Sequence, residues 1–137
     1  MDDKIKKLYE LMSKTQKEVN EQTSSEIEKL LGEILQTIGV SFAIDEYIIS
    51  FRETPLGKHY FTAYVWFPVK IGDEWVSYKG IWEFKKEPNY FENLIKNENG
   101  KIIAKQTGKT PEQVGFPLEI FDDIKNNFFH LVIKPNN

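Results

Sequence analysis

Glu83 and Lys85 frame the tripeptide EFK within WVSYKGIWEF, a stretch that reads as a β-strand. Side chains two residues apart on a strand share a face, so a carboxylate and an ammonium stand side by side there. Hydrolysis at such an E-x-K element needs a second carboxylate, to hold the metal ion that activates water. Glu46 and Glu53 on the preceding segment are the candidates, because Asp73 sits at a hairpin tip several residues away at ~3.3 Å each. The pair is therefore incomplete. GKT, Gly108 to Thr110, invites a phosphate loop, but that loop needs glycine five positions earlier, where Ile103 stands. A turn is the better reading. His59 and His130 are the only histidines, without HxH or HExxH spacing, and cysteine is absent. No catalytic residue, metal ligand or cofactor is assigned.

Charge narrows the partners. Net charge is −3, with seven basic and eleven acidic residues over 1–53, nine and six over 54–110, and two and four over 111–137. A duplex-binding protein usually carries a basic stripe and a high pI. Here only the middle third is mildly basic. Lys101, Lys105 and Lys109 recur every four residues, a basic stripe if that segment is helical. The missing cysteines exclude disulfides and suit a reducing cytosol. The opening residues MDDKIKKLYELMSK form no signal peptide and no apolar run spans a membrane, so a cytoplasmic protein is expected.

The elements that position these residues form one domain over 1–137. A first helix is expected from Asp2 to about Val19, its stripe made by Ile5, Leu8, Met12 and Val19. That stripe either packs on its own domain or, as an arm over 1–22, pairs in a homodimer. NEQTSS breaks the helix, and Thr23 with Glu26, or Ser25 with Glu28, forms a capping box for the second. Ile27, Leu30, Leu31, Ile34, Leu35 and Ile38 give that second helix one continuous apolar face, closed by Gly39. A β-meander follows over about 40–86, interrupted at Asp45 and Glu46, with turns at TPLGK and IGDE. After it come a short helix at NYFENLIKN behind Pro88 and an ambiguous KIIAKQTGK. Thr110 and Gln113 cap a turn, PLEIFDDIKNNF is helical and FFHLVIK ends the chain as a strand. The fold class is α+β: an antiparallel sheet of three to five strands packed against an amphipathic helix, with N-terminal and C-terminal helices.

Register sorts the aromatic residues of YFTAYVWF. An even loop at Gly72 and Asp73 sets Phe61, Ala63, Val65, Phe67 and Val69 beside Val76, Tyr78, Gly80, Trp82 and Phe84 on one apolar face. A slip of one residue would reverse every side chain. An odd connection at TPLGK adds Tyr47, Ile49 and Phe51 to that face. The opposite face collects Arg52, Tyr60, Tyr64, Trp66, Trp75, Lys79 and Lys85. Either a terminal helix covers it or it stays open as a binding surface, since interfaces favour Tyr, Trp and Arg.

Two family orders resemble parts of this chain. EFK, with helix, three strands, helix and strand around it, is similar to the core of magnesium-dependent nucleases. Residues 24–97, read as helix, three strands and helix, resemble double-stranded-RNA-binding domains. There PLGKHY has Pro and Gly in the other order, and PNYFENLIK lacks the basic helix start, so that function is not carried over. The leading expectation is a small non-catalytic regulator or inhibitor that docks a macromolecule, a protein first, through the second face. The same rings binding single-stranded nucleic acid are the alternative.

Overall fold

Phe61, Ala63, Val65, Phe67 and Val69 alternate with Thr62, Tyr64, Trp66, Pro68 and Lys70, and this period of two builds an interior strand of the sheet. In the structure, a computed structural model describing residues 2–12, 21–47, 61–87 and 89–128, eight elements follow one another. They are α1 (Asp2–Met12), α2 (Glu21–Gln36), β1 (Ser41–Tyr47), β2 (Phe61–Ile71), β3 (Glu74–Glu87), β4 (Tyr90–Lys96), β5 (Ile102–Gly108) and α3 (Glu119–Phe128). The strands form one antiparallel sheet in the order β1-β2-β3-β4-β5. The fold is α+β.

The β2–β3 hairpin turns on two residues, with Ile71 opposite Glu74 and Gly72 at φ 62°. Short hairpins need that positive φ, and glycine adopts it without strain. The even loop sets Phe61 opposite Phe84, Ala63 opposite Trp82, Val65 opposite Gly80 and Phe67 opposite Tyr78. Trp82, Phe61 and Phe84 are fully buried, packed with Phe116 of the segment before α3. Full burial of one such side chain contributes about 1.5–3 kcal/mol. The apolar pattern therefore sets the register.

All three helices feed this core. Ile27, Leu31, Ile34 and Leu35 of α2, Leu8 and Met12 of α1, and Ile120 and Ile124 of α3 join it. Leu8, Leu11 and Met12 of α1 are thus buried within the chain, and Tyr9 donates its hydroxyl to the Phe116 carbonyl. Helix α2 stops where the sequence says it must. Val40 N donates to Leu35 O and Gly39 N to Gln36 O, both at 3.1 Å, with Gly39 at φ 74°. This pair of hydrogen bonds closes a helix end on a left-handed residue, and Val40 and Leu35 are both buried there. The interruption at Asp45 is a register shift between Ile44 and Glu46.

Three expectations change and one open reading is resolved. NYFENLIKN is strand β4, not a helix, and KIIAKQTGK contains strand β5. Both borrowed family orders lose their second helix as a result. The lysines at 101, 105 and 109 make no helical stripe, because only Lys105 lies within β5. Helix α2 already begins at Glu21, so Thr23 and Ser25 lie inside it rather than capping it. Thr110 does bond Gln113 N at 3.2 Å, while the Gln113 side chain reaches back to Lys109 N at 2.6 Å. Residues 13–20, the TPLGK connection with Ile49, Phe51 and Glu53, the histidines and the FFHLVIK strand beyond Phe128 lie outside the described residues.

Candidate functional site

Since the three described helices join the core on the Phe61–Trp82 side, the opposite face is built from what alternation leaves over. On β2 that is Thr62, Tyr64 and Trp66, on β3 Lys79, Ile81, Glu83 and Lys85. On β4 it is Glu92, Leu94 and Lys96, on β5 Lys105 and Thr107. Tyr64 is 40% exposed, whereas Phe67 on the core side is 3% exposed.

Tyr64, Trp66 and Lys79 form one cluster. Trp66 stands opposite Lys79 in the ladder, and Tyr64 lies one step along. The Lys79 ammonium sits 4.9 Å from the Tyr64 ring centre and 5.9 Å from that of Trp66. An ammonium over an aromatic face is attracted by the ring quadrupole, by about 0.5–1 kcal/mol at an exposed site. Glu98, at the β4–β5 turn, brings a carboxylate within 3.9 Å of the same ammonium. Lys79 is held by rings on one side and reached by an acid from another.

Beyond that cluster the carboxylates lie low and the ammonium groups high. Glu83 meets Lys96 at 2.8 Å, and Glu92 meets Lys105 at 3.0 Å and Lys85 at 3.4 Å. The Glu92 side chain is 8% exposed, against 29% and 49% for its two lysines. Burial pushes the Glu92 carboxyl up, but bonds and attraction to Lys105 and Lys85 outweigh it and hold the group below its ordinary range. The same hydrogen bond and charge raise Lys105. Leu94 is buried on this face yet outside the main core, covered at the level of these charged side chains. The face presents cations to solvent over submerged anions.

Glu83 faces Thr62 across the ladder and an ammonium in space, while Glu92 faces two ammonium groups. Each carboxylate is balanced by lysine rather than placed to share a cation with the other. Among the described residues no group of three His, Cys, Asp or Glu side chains is placed to hold a metal ion.

The expected site residues divide. Tyr64, Trp66, Lys79 and Lys85 share the open face. Trp75, 55% exposed, lies four residues along β3 from Lys79, a separation of ~13 Å. Its ring has Lys125 of α3 at 5.4 Å and lines a different feature, a cleft of about 600 Å³ with Ile38, Phe67, Pro68 and Phe121. Arg52 and Tyr60 lie outside the described residues. The charged half of the face, Glu92, Lys96 and Glu98, is new. Reading Tyr90, Glu92, Leu94 and Lys96 as alternate positions of a strand would have found it.

Fold and surface together define the class: an α+β protein whose antiparallel five-stranded sheet carries its helices on one side and an aromatic, lysine-rich surface on the other. No family model, curated protein or solved structure matches the chain. No described helix is long and apolar enough to cross a membrane.

Proposed function

We propose that this chain is a non-catalytic docking protein, of regulator or inhibitor type, that binds a partner protein through the open face of its sheet. The observation carrying this reading is the Tyr64–Lys79–Trp66 cluster on the side away from the helices. Tyr and Trp, here partly exposed and spaced by a β-ladder, are residue types on which interface energy concentrates, and Lys79 between them adds a charge that can select the partner. A strand pair orders them before the partner arrives, which lowers the entropy cost of binding. Lys85 extends the surface toward Glu92, and Trp75 contributes at a separate cleft.

Single-stranded nucleic acid is the second reading, favoured by the same rings beside lysines. Stacking needs a ring face, however, and the Lys79 ammonium lies over both rings. That geometry weighs toward protein. Co-purification from native lysate tests the choice, with the wild-type chain, Tyr64→Ala and Trp66→Ala, each with and without nuclease. A protein retained by wild type despite nuclease and lost from both variants is the expected result. Retention indifferent to both substitutions sinks the docking face, and release by nuclease selects the second reading.

A further inference from the structure

The lysines of the open face are ordered, and their order describes a partner. Lys79 lies one step before Ile81 on β3, and Ile81 pairs with Lys96 on β4. Lys96 lies one step beyond Leu94 on β4, and Leu94 pairs with Lys105 on β5. Lys79, Lys96 and Lys105 therefore form a diagonal across three neighbouring strands. With strands ~4.8 Å apart and steps of ~6.7 Å, successive lysines stand about 8 Å apart. An extended chain presents every second side chain at ~6.7 Å, close enough for flexible lysines to follow.

The diagonal has its own internal anions. Glu83 and Glu92 lie beneath it and hold Lys96 and Lys105 upright, with side chains 15% and 8% exposed. Glu98 differs. Its side chain is 65% exposed, it comes from a turn, and it reaches Lys79 only at 3.9 Å. An exposed pair at that distance contributes little, so a better placed carboxylate can replace Glu98 at small cost.

Resting on the docking reading above, we propose that the partner presents an extended acidic segment, whose carboxylates engage Lys79, Lys96 and Lys105 in turn and displace Glu98 from Lys79. The segment enters beside Tyr64 and Trp66, whose rings hold Lys79 in place and pack against its apolar side chains. Charge complementarity along the diagonal favours acid over base and sets the line along which the segment lies.

Fluorescence anisotropy with three labelled probes tests this: an alternating Glu-Tyr peptide, its Gln-Tyr counterpart and an oligothymidylate of equal formal charge. The acidic peptide should bind the wild-type chain at low salt, and Glu98→Gln should tighten it about threefold or more. Lys79→Gln should weaken it about tenfold, near 1.4 kcal/mol, and Lys79→Arg should restore most of that loss. Lys7→Gln, on α1, should change nothing. Absence of binding, equal binding of the Gln-Tyr peptide, or equal loss in Lys7→Gln overturns the acidic segment. Tighter binding of the oligothymidylate overturns it in favour of nucleic acid. Gln-Tyr binding that is lost in Trp66→Ala leaves the docking face standing and removes only its preference for acid.

Discussion

Trp82 donates its indole N–H to the Asn93 side-chain oxygen at 2.6 Å, and both residues are completely buried. The bond ties β3 to β4 inside an aromatic core, where an indole N–H without an acceptor is expensive. It also orients the outer surface. With Trp82 turned inward, Glu83 and Ile81 on either side of it must turn outward, and Asn93 does the same for Glu92 and Leu94.

Removing both partners of that bond should cost less than the two single removals summed. Asn93→Leu is expected to lower stability by about 2 kcal/mol, because the Trp82 N–H loses its acceptor. Asn93→Leu with Trp82→Phe should fall short of the summed single effects. Urea unfolding of the four proteins measures the coupling; strict additivity would remove the bond from the account.

Neighbouring rings on β2 should respond in opposite ways. Phe67→Ala empties a core site and should cost about 3–5 kcal/mol. Tyr64→Ala, three residues away but on the open face, should cost less than about 1 kcal/mol while abolishing partner retention. Thermal unfolding alongside the binding assay reads both. A large stability loss for Tyr64→Ala would place that ring in a packed site instead.

Two left-handed glycines differ in their surroundings. Gly72, at φ 62°, has open space where an alanine Cβ would stand, so Gly72→Ala should cost only the backbone strain of about 1–2 kcal/mol. Gly115, at φ 59°, would instead drive its new Cβ into the Glu119 side chain. Gly115→Ala should therefore exceed about 3 kcal/mol, since overpacking adds to the strain. Denaturant midpoints of the two variants give the comparison, and equal costs would argue against the tight start of α3.

The Lys85–Glu92–Lys105 group links stability to pH. Glu92 titrates below its ordinary 4.5 when folded, so its contribution is complete above that value and is lost as pH falls through the folded pKa. Lys105 titrates above its ordinary 10.5, so its contribution is complete below that value and is lost as pH rises through the folded pKa. Glu92→Gln should lower stability by roughly 1 kcal/mol at neutral pH, a small figure because the lysines are screened by water. It should also flatten the acid limb. Unfolding measured from pH 3 to 7, a range set by the ordinary carboxyl value of about 4, decides this. An unchanged acid limb in the variant would mean that Glu92 is not the group responsible.

The open face of the sheet could be drawn from the sequence only where alternation was plain. In β2 and β3 every second residue is apolar, and the Gly72–Asp73 turn admits one register, so Tyr64, Trp66 and Lys79 could be assigned to one face. In β4 the pattern misleads. Phe91, Leu94 and Ile95 have helical spacing, Pro88 resembles a helix start, and the true alternation is hidden by buried Asn93 and Glu92.

Local chemistry was enough to determine the end of α2 at Gly39, the hairpin at Gly72 and the inward set of rings, because turn geometry and apolar spacing act over a few residues. Tertiary structure alone decided that Asn93 belongs in the core and Glu92 beneath two lysines. A polar side chain is tolerated out of water only when its partner arrives from elsewhere, here the Trp82 indole and the ammonium groups of Lys85 and Lys105. No reading of β4 by itself contains those partners.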